Sequence, residues 1–233
     1  MAKTYNIPVR NFKLKLAISE AGFPLSPASL LLANNFKIKK GEVACDIGTG
    51  CGIQAITAAK LGAEKIYASD INPHDCKIAK KNAGLNKLSK KISIYHGSLL
   101  EPFTDLKFDV VIANLPQTPG KILKSPPKLL GYYGGDDGTD LVREVIKDLP
   151  IYLNKNGRFY FQWGQISNPK RVEKELQKKF TFKKIAMISA PFGFIEFEVI
   201  DKLLRMQKEN KAIFYKKSGV LHYNKVIFEC KLK

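Results

Sequence analysis

The sequence is poor in the features that would take a chain out of the ordinary globular enzymes. It has four cysteines and three histidines in 233 residues, with no C-x-x-C pair. Cys45, Cys51, Cys76 and Cys230 sit mostly among apolar neighbours, so they read as small reduced core residues, and no metal site is expected. No apolar run approaches the roughly 20 residues that cross a bilayer, and the opening MAKTYNIPVR lacks the apolar stretch of a signal peptide. A cytoplasmic location and no membrane partner are expected. Internal repeats and low-complexity linkers are absent. Acids are scarce: 21 Asp and Glu stand against 39 Lys and Arg, a net charge of +18. Such a surface attracts a polyanion such as RNA or a ribosome, and lysine-rich surfaces also accompany biased or thermophilic composition. No RNP-like motif or zinc-finger spacing singles out a nucleic-acid partner.

What the chain does have is enough apolar sequence, 45% of its residues, to bury one substantial core. A single domain over 1–233 is expected, with residues 1–23 as an N-terminal cap and 190–233 as a C-terminal elaboration. The last 33 residues are basic, which suits either a binding face or a solvated one.

The organising stretch is 43–61, VACDIGTGCGIQAITAAKL. A short apolar run ends in Asp46, glycines follow at Gly48, Gly50 and Gly52 around Thr49, and an alanine-rich run continues to Gly62. The pattern predicts strand, turn and helix, with backbone N–H groups of the helix start facing whatever lies over the turn. A dinucleotide fingerprint would place the third glycine at position 53, which is Ile53. Asp46 would repel a pyrophosphate but suits a cationic amine.

Further strands are expected at 65–70, 91–96, 108–113, 157–163 and 182–189. Helices are expected near 26–36, after Asn72 to Gly84, at 141–152, 170–179 and 197–210, with a closing hairpin of 212–217 and 220–230. The second strand ends in Asp70. A carboxylate there can accept two hydrogen bonds from the vicinal hydroxyls of a ribose, or merely face solvent. The fourth strand, FDVVIA, is apolar throughout and ends at Asn114-Leu115-Pro116-Gln117.

Acid-x-Gly-x-Gly-x-Gly resembles motif I of the class I S-adenosylmethionine methyltransferases. Asn114-Leu115-Pro116-Gln117 resembles their amino-group tetrapeptide, Asn, then Pro, Leu or Ile, then Pro and an aromatic. The segment Gly134-Gly135-Asp136-Asp137-Gly138-Thr139-Asp140, with Arg143 and Ile146, resembles the G-G-x-D-G-L-D-x-x-R-x-I segment of the HemK/PrmC family, the protein-glutamine N5 methyltransferases. Pro27 and Ser29 resemble that family's Pro-x-x-Thr segment.

The resemblance implies a Rossmann-like class I methyltransferase fold, an α/β doubly wound and mostly parallel seven-stranded sheet with an antiparallel last strand. It implies S-adenosylmethionine as cofactor, held by Asp46, Gly48, Thr49, Gly50, Gly52, Asp70, Ile71, Ser98, Leu99 and Asn114. Ser98 stands where the family often has an acid for the adenine amino group. Asn114 and the Leu115 carbonyl, with Pro116 holding Leu115 extended and Gln117 beside them, would grip the target nitrogen. Gln117 departs from the family's aromatic, and Tyr132, Tyr133 or Trp163 is expected to supply a platform instead.

The implied reaction is N-methylation, of a glutamine side chain in a protein such as a translation factor, with a small activator protein as a further partner. An amino group of an RNA or DNA base, a small-molecule amine, and a catalytically inactive scaffold remain as alternatives.

Overall fold

The structure is a computed structural model that describes residues 2–18, 25–120 and 131–233. The chain begins with a hairpin, β1 (Lys3–Val9) paired antiparallel with β2 (Phe12–Ile18). The expected cap is therefore a two-stranded ribbon over these residues, and its remaining part, residues 19–23, lies outside the described residues. Leu14 and Leu16 bury one side of the ribbon in the main core.

Helix α1 (Pro27–Asn35) starts where Ser26 accepts from the Ser29 N–H with proline at the first turn. The strands β3 (Val43–Ile47), β4 (Lys65–Asp70), β5 (Ile92–His96), β6 (Phe108–Ala113) and β7 (Leu153–Gly164) all run parallel. Helices α2 (Ile53–Lys60), α3 (Pro73–Leu85) and α4 (Asp140–Tyr152) lie between them in the chain. Then come α5 (Pro169–Lys179), β8 (Phe180–Pro191), α6 (Phe194–Glu198), α7 (Ile200–Lys208), β9 (Tyr215–Lys217) and β10 (Val220–Leu232).

The sheet order is β5-β4-β3-β6-β7-β10-β8, and β10 is antiparallel to both neighbours. This is the expected doubly wound sheet with its antiparallel closing strand, extended by the short eighth strand β9 on β10. Its faces bury two cores. Val110 and Ile112 of β6 pack with α1, α2 and α3, while Val111 and Ala113 pack with α4 and α5. Alternation along a strand buried on both sides produces this division. The chain adds β4 and β5 on one side of β3 and then β6 and β7 on the other, and this switch in strand order between β3 and β6 opens a crevice at the carboxyl ends of these strands.

Two expectations are corrected. The helix expected over 197–210 is broken at Val199, whose φ is −117° and whose Cγ1 packs toward Gly120. The strand expected over 212–217 shrinks to three residues. Ala212 and Phe214 instead turn into a third small core with Phe192, Leu203, Met206 and Tyr223. Among the described residues no helix is long and apolar enough to cross a membrane.

The ribbon is fastened by two asparagines of the α3 end, Asn86 paired to the Lys15 backbone and the fully buried Asn82. Asn82 of α3 accepts from the Ala17 N–H at 2.6 Å and donates to the Ala17 carbonyl at 3.0 Å and the Cys51 carbonyl at 2.8 Å. Asn82→Leu should lower unfolding free energy by about 3 kcal/mol, three bonds at roughly 1 kcal/mol each. Urea denaturation followed by circular dichroism checks this. A loss below about 1 kcal/mol would show that the ribbon does not lean on Asn82.

Candidate cofactor and substrate site

Asp46 is the next-to-last residue of β3 and is 1% exposed. Its Oδ2 accepts from the Thr49 hydroxyl at 2.7 Å and the Ala55 N–H at 3.0 Å, which ties the turn to the first coil of α2. Its Oδ1 is buried with no partner. Burial pushes this carboxyl up to about 7 against the two hydrogen bonds, and Asp70 nearby adds to the rise. Asp46 thus lies under the turn rather than on its open surface.

The loop's own N–H groups are largely spent inside the protein. Thr49 N–H donates to Ser69 O, Gly50 N–H to Asp70 Oδ2 at 2.8 Å, and Gly52 N–H to Thr49 O. A phosphate nest needs such donors free, so the turn does not suit a pyrophosphate. What it offers a ligand is an unpartnered carboxylate oxygen beneath it and open space above Gly50. A Cβ there would meet no atom within 4 Å, although φ is +53°. Asp70 Oδ1 takes the Asn72 N–H at 2.9 Å, and burial raises its pKa against that bond and the one from Gly50. Each oxygen keeps a second lone pair for a hydroxyl. Ile71, 71% exposed, follows at the rim, and its carbonyl pairs with His96 Nε2. Ser98 and Leu99 are half-buried across from it, with the Leu99 carbonyl accepting from the Ser69 hydroxyl. An acidic shelf without free phosphate donors fits a cofactor that carries an amine, a sulfonium and a ribose.

The turn opens on a narrow cleft of about 30 Å³, lined by Ser29, Gly48, Gly50, Gln54 and Asn114 among others. Asn114 Nδ2 donates to Ser29 Oγ at 3.0 Å. That bond fixes which way the carboxamide points and leaves Oδ1 as its acceptor. Ser29 is in turn held through its carbonyl by Gln54. The Leu115 side chain packs under Gly48, where a Cβ would come within 3.1 Å of Cδ2.

The 134–140 segment clamps Pro116 and Gln117 from behind. The Tyr132 carbonyl accepts from the N–H groups of Gln117 and Thr118, and Gly134 donates back to Thr118 O. At Gly134 a Cβ would lie 2.7 Å from both the Gln117 Cα and the Pro116 carbonyl, so the glycine there is a requirement of close approach. Asp137 closes the loop. Its carboxylate accepts from Thr139, Asn168 and Arg171, and these bonds outweigh burial and hold it down at about 2. A larger cavity of about 490 Å³ opens beside Asp137, Arg171 and Lys202, but it reaches neither the glycine turn nor Asn114, and the chemistry is assigned to the cleft.

The aromatic expectation is partly corrected. Trp163 is 2% exposed, its indole N–H donates to Ser167 O, and it belongs to the core with Phe159 and Phe161. It is no platform. Tyr132 and Tyr133 are half-buried beside the 116–120 backbone. Gln117 itself folds back onto the end of β7, where its Nε2 donates to Gln162 Oε1 at 2.6 Å and its Oε1 accepts from the Gly164 N–H. Sequence reasoning missed Gln162, the Ser29 contact and Tyr223, whose ring packs on Gly164. A polar residue in the middle of FYFQW was the available signal for Gln162.

Fold and cleft together define a class I S-adenosylmethionine-dependent methyltransferase. The family model described as ribosomal protein L11 methyltransferase (PrmA) matches residues 28–122. A putative protein N5-glutamine methyltransferase of Methanocaldococcus jannaschii is 34% identical over 80% of this chain and 93% of its own length. A release factor glutamine methyltransferase of Bacillus cereus is 32% identical over 67% of this chain and 58% of its own, so the chain spans somewhat over half of that relative. The crystal structure of the M. jannaschii tRNA m1G37 methyltransferase superposes with a TM-score of 0.58 at 19% identity, over 100% of this chain and 57% of that one, a likeness of fold. The chain belongs to the HemK/PrmC family of protein N5-glutamine methyltransferases.

The buried acid under the turn has a pH signature. From the ordinary value of 3.8 up to about 7, folded Asp46 keeps a proton that the unfolded chain has released, so stability falls as pH rises through that window and levels off above it. Asp70 shifts in the same direction. Asp46→Asn should therefore gain on the wild type in urea midpoint between pH 4 and pH 7. A constant difference across that range would place the Asp46 carboxyl at its ordinary value.

Proposed function

We propose that the chain transfers the methyl group of S-adenosylmethionine to the side-chain amide nitrogen of a glutamine in a protein, acting as a single domain. The observation that supports this most is Asn114: its carboxamide is anchored through Nδ2 to Ser29 Oγ, in the lining of the same cleft as Gly48 and Gly50. Relatives named for glutamine in release factors and in ribosomal protein uL3 agree with it. The base-methylating and scaffold alternatives have no comparable support. A translation component in the cytoplasm is the substrate class this reading favours, with a small activator protein as a second partner.

When bound, S-adenosylmethionine supplies an electrophilic methyl on sulfur. Asp46, Gly48, Thr49, Gly50 and Gly52 would hold its amino acid end, Asp70 the ribose, and Ile71, Ser98 and Leu99 the adenine. An amide nitrogen is a poor nucleophile because its lone pair is delocalised into the carbonyl. Asn114 Oδ1 and the Leu115 carbonyl accept its two N–H bonds, which turn the lone pair toward the methyl and stabilise the positive charge that develops on nitrogen. Pro116 and the glycine clamp at Gly134 keep the Leu115 carbonyl from moving as that happens. The alkylated amide is a strong acid and sheds its proton without a dedicated base.

Asn114→Ala should lower kcat on a glutamine-containing peptide by about 10² while leaving cofactor affinity within twofold, as expected for an acceptor that acts mainly in the transition state. Product analysis with labelled cofactor checks it, and an unchanged kcat removes Asn114 from the chemistry. Asp70→Ala should weaken cofactor binding by about 1.5–3 kcal/mol, the scale for hydrogen bonds to a charged group. Calorimetry reads this directly, and undiminished affinity would leave Asp70 only its bonds from Gly50 and Asn72.

A further inference from the structure

We infer that Gln162 is a positioning residue for methyl transfer, acting through Gln117 on the Leu115 carbonyl. The inference rests on the reading of that carbonyl as an acceptor for the target amide. Gln162 is 4% exposed, in a strand whose neighbours Phe161 and Trp163 turn to the opposite core. Its Oε1 accepts from Gln117 Nε2 at 2.6 Å, and the Gln117 Oε1 accepts from the Gly164 N–H two residues further on. The second proton of Gln117 Nε2 faces the Leu115 carbonyl at 3.4 Å. Three of the carboxamide's four directions are thus assigned, two of them by the end of β7 and the third by the carbonyl. The Gln117 Nε2 contact with that carbonyl is long and weak, so a substrate N–H can share the oxygen while the two contacts to β7 hold Gln117 still. A hydrogen-bonded brace on β7 takes the place of the aromatic side chain that the family resemblance puts at this position. The brace also explains a buried polar residue that no other described contact uses.

Gln162→Leu leaves the Gln117 amide without its acceptor and should lower kcat on a glutamine peptide about tenfold, with cofactor affinity unchanged. Gln162→Glu keeps an acceptor oxygen and should retain most of kcat. The double substitution Gln117→Leu with Gln162→Leu separates bracing from mere stability, because it removes both polar partners at once and can restore the melting temperature without restoring the brace. Its kcat should stay about tenfold low. Recovery of wild-type kcat in the double variant, or full activity of Gln162→Leu where Asn114→Ala is inactive, overturns the inference.

The brace has a readout that needs no substrate. The side-chain amide protons of Gln117, followed by nitrogen-15 NMR, should be protected from solvent exchange in the wild type and lose that protection in Gln162→Leu. Rapid exchange in the wild type overturns the brace whatever the enzyme methylates. A wild type that shows the protection but labels no glutamine peptide upholds the brace and counts against the glutamine reading instead.

Discussion

A backbone carbonyl can orient a weak nucleophile only if the chain around it does not move, and the site depends on how Leu115 and Pro116 are held. They leave the end of β6, a strand buried on both faces, and cannot be carried by regular pairing beyond it. The 132–138 segment supplies the missing pairing with the Tyr132 and Gly134 backbone contacts. Its glycines let one backbone lie on another at a distance that a Cβ would forbid. Asp137 then locks that segment to α5 through Asn168 and Arg171. The acid is a fastener, and its low pKa measures how many donors converge on it.

The glycine turn follows the same logic with the opposite electrostatics. Here the acids are pushed up, because burial outweighs the hydrogen bonds that Asp46 and Asp70 accept, and at Asp46 the neighbouring Asp70 adds to the rise. Such a pair is costly in the free protein and is relieved when a cationic group arrives. The net charge of +18 plays no part in that shelf, since its lining is acidic.

Local pattern made the framework readable and long-range pairing hid the rest. The glycine turn, the acids closing β3 and β4, and the alternation of β6 are each written within a few consecutive residues, so their places in the fold could be read directly. The bond from Asn114 to Ser29 spans 85 residues, and that from Gln117 to Gln162 spans 45, distances over which no periodicity carries information. Trp163 is the instructive error. Phe159, Phe161 and Trp163 alternate, which puts Trp163 on their face of β7 and leaves Gln162 and Gly164 on the other. The strand period placed Trp163 in the core, and the expectation of an exposed ring ignored it. The break at Val199 was not legible, because no glycine or proline marks it within 197–210.

The C-terminal elaboration belongs to this reasoning as well. Tyr223 sits on β10, 5% exposed, with its ring against Gly164 and its hydroxyl donating to Glu196 Oε1 at 2.8 Å. Gly164 is the residue whose N–H holds Gln117. The position of that N–H is therefore set from two sides, by the pairing of β7 with β10 and by an aromatic ring anchored on α6. Burial and the Glu196 carboxylate both push the Tyr223 phenol up, so the hydroxyl remains a donor and the anchor does not titrate under ordinary conditions. An antiparallel closing strand is thus more than the edge of the sheet here: through Tyr223 it brings the small third core to bear on the Gly164 N–H that holds the Gln117 amide.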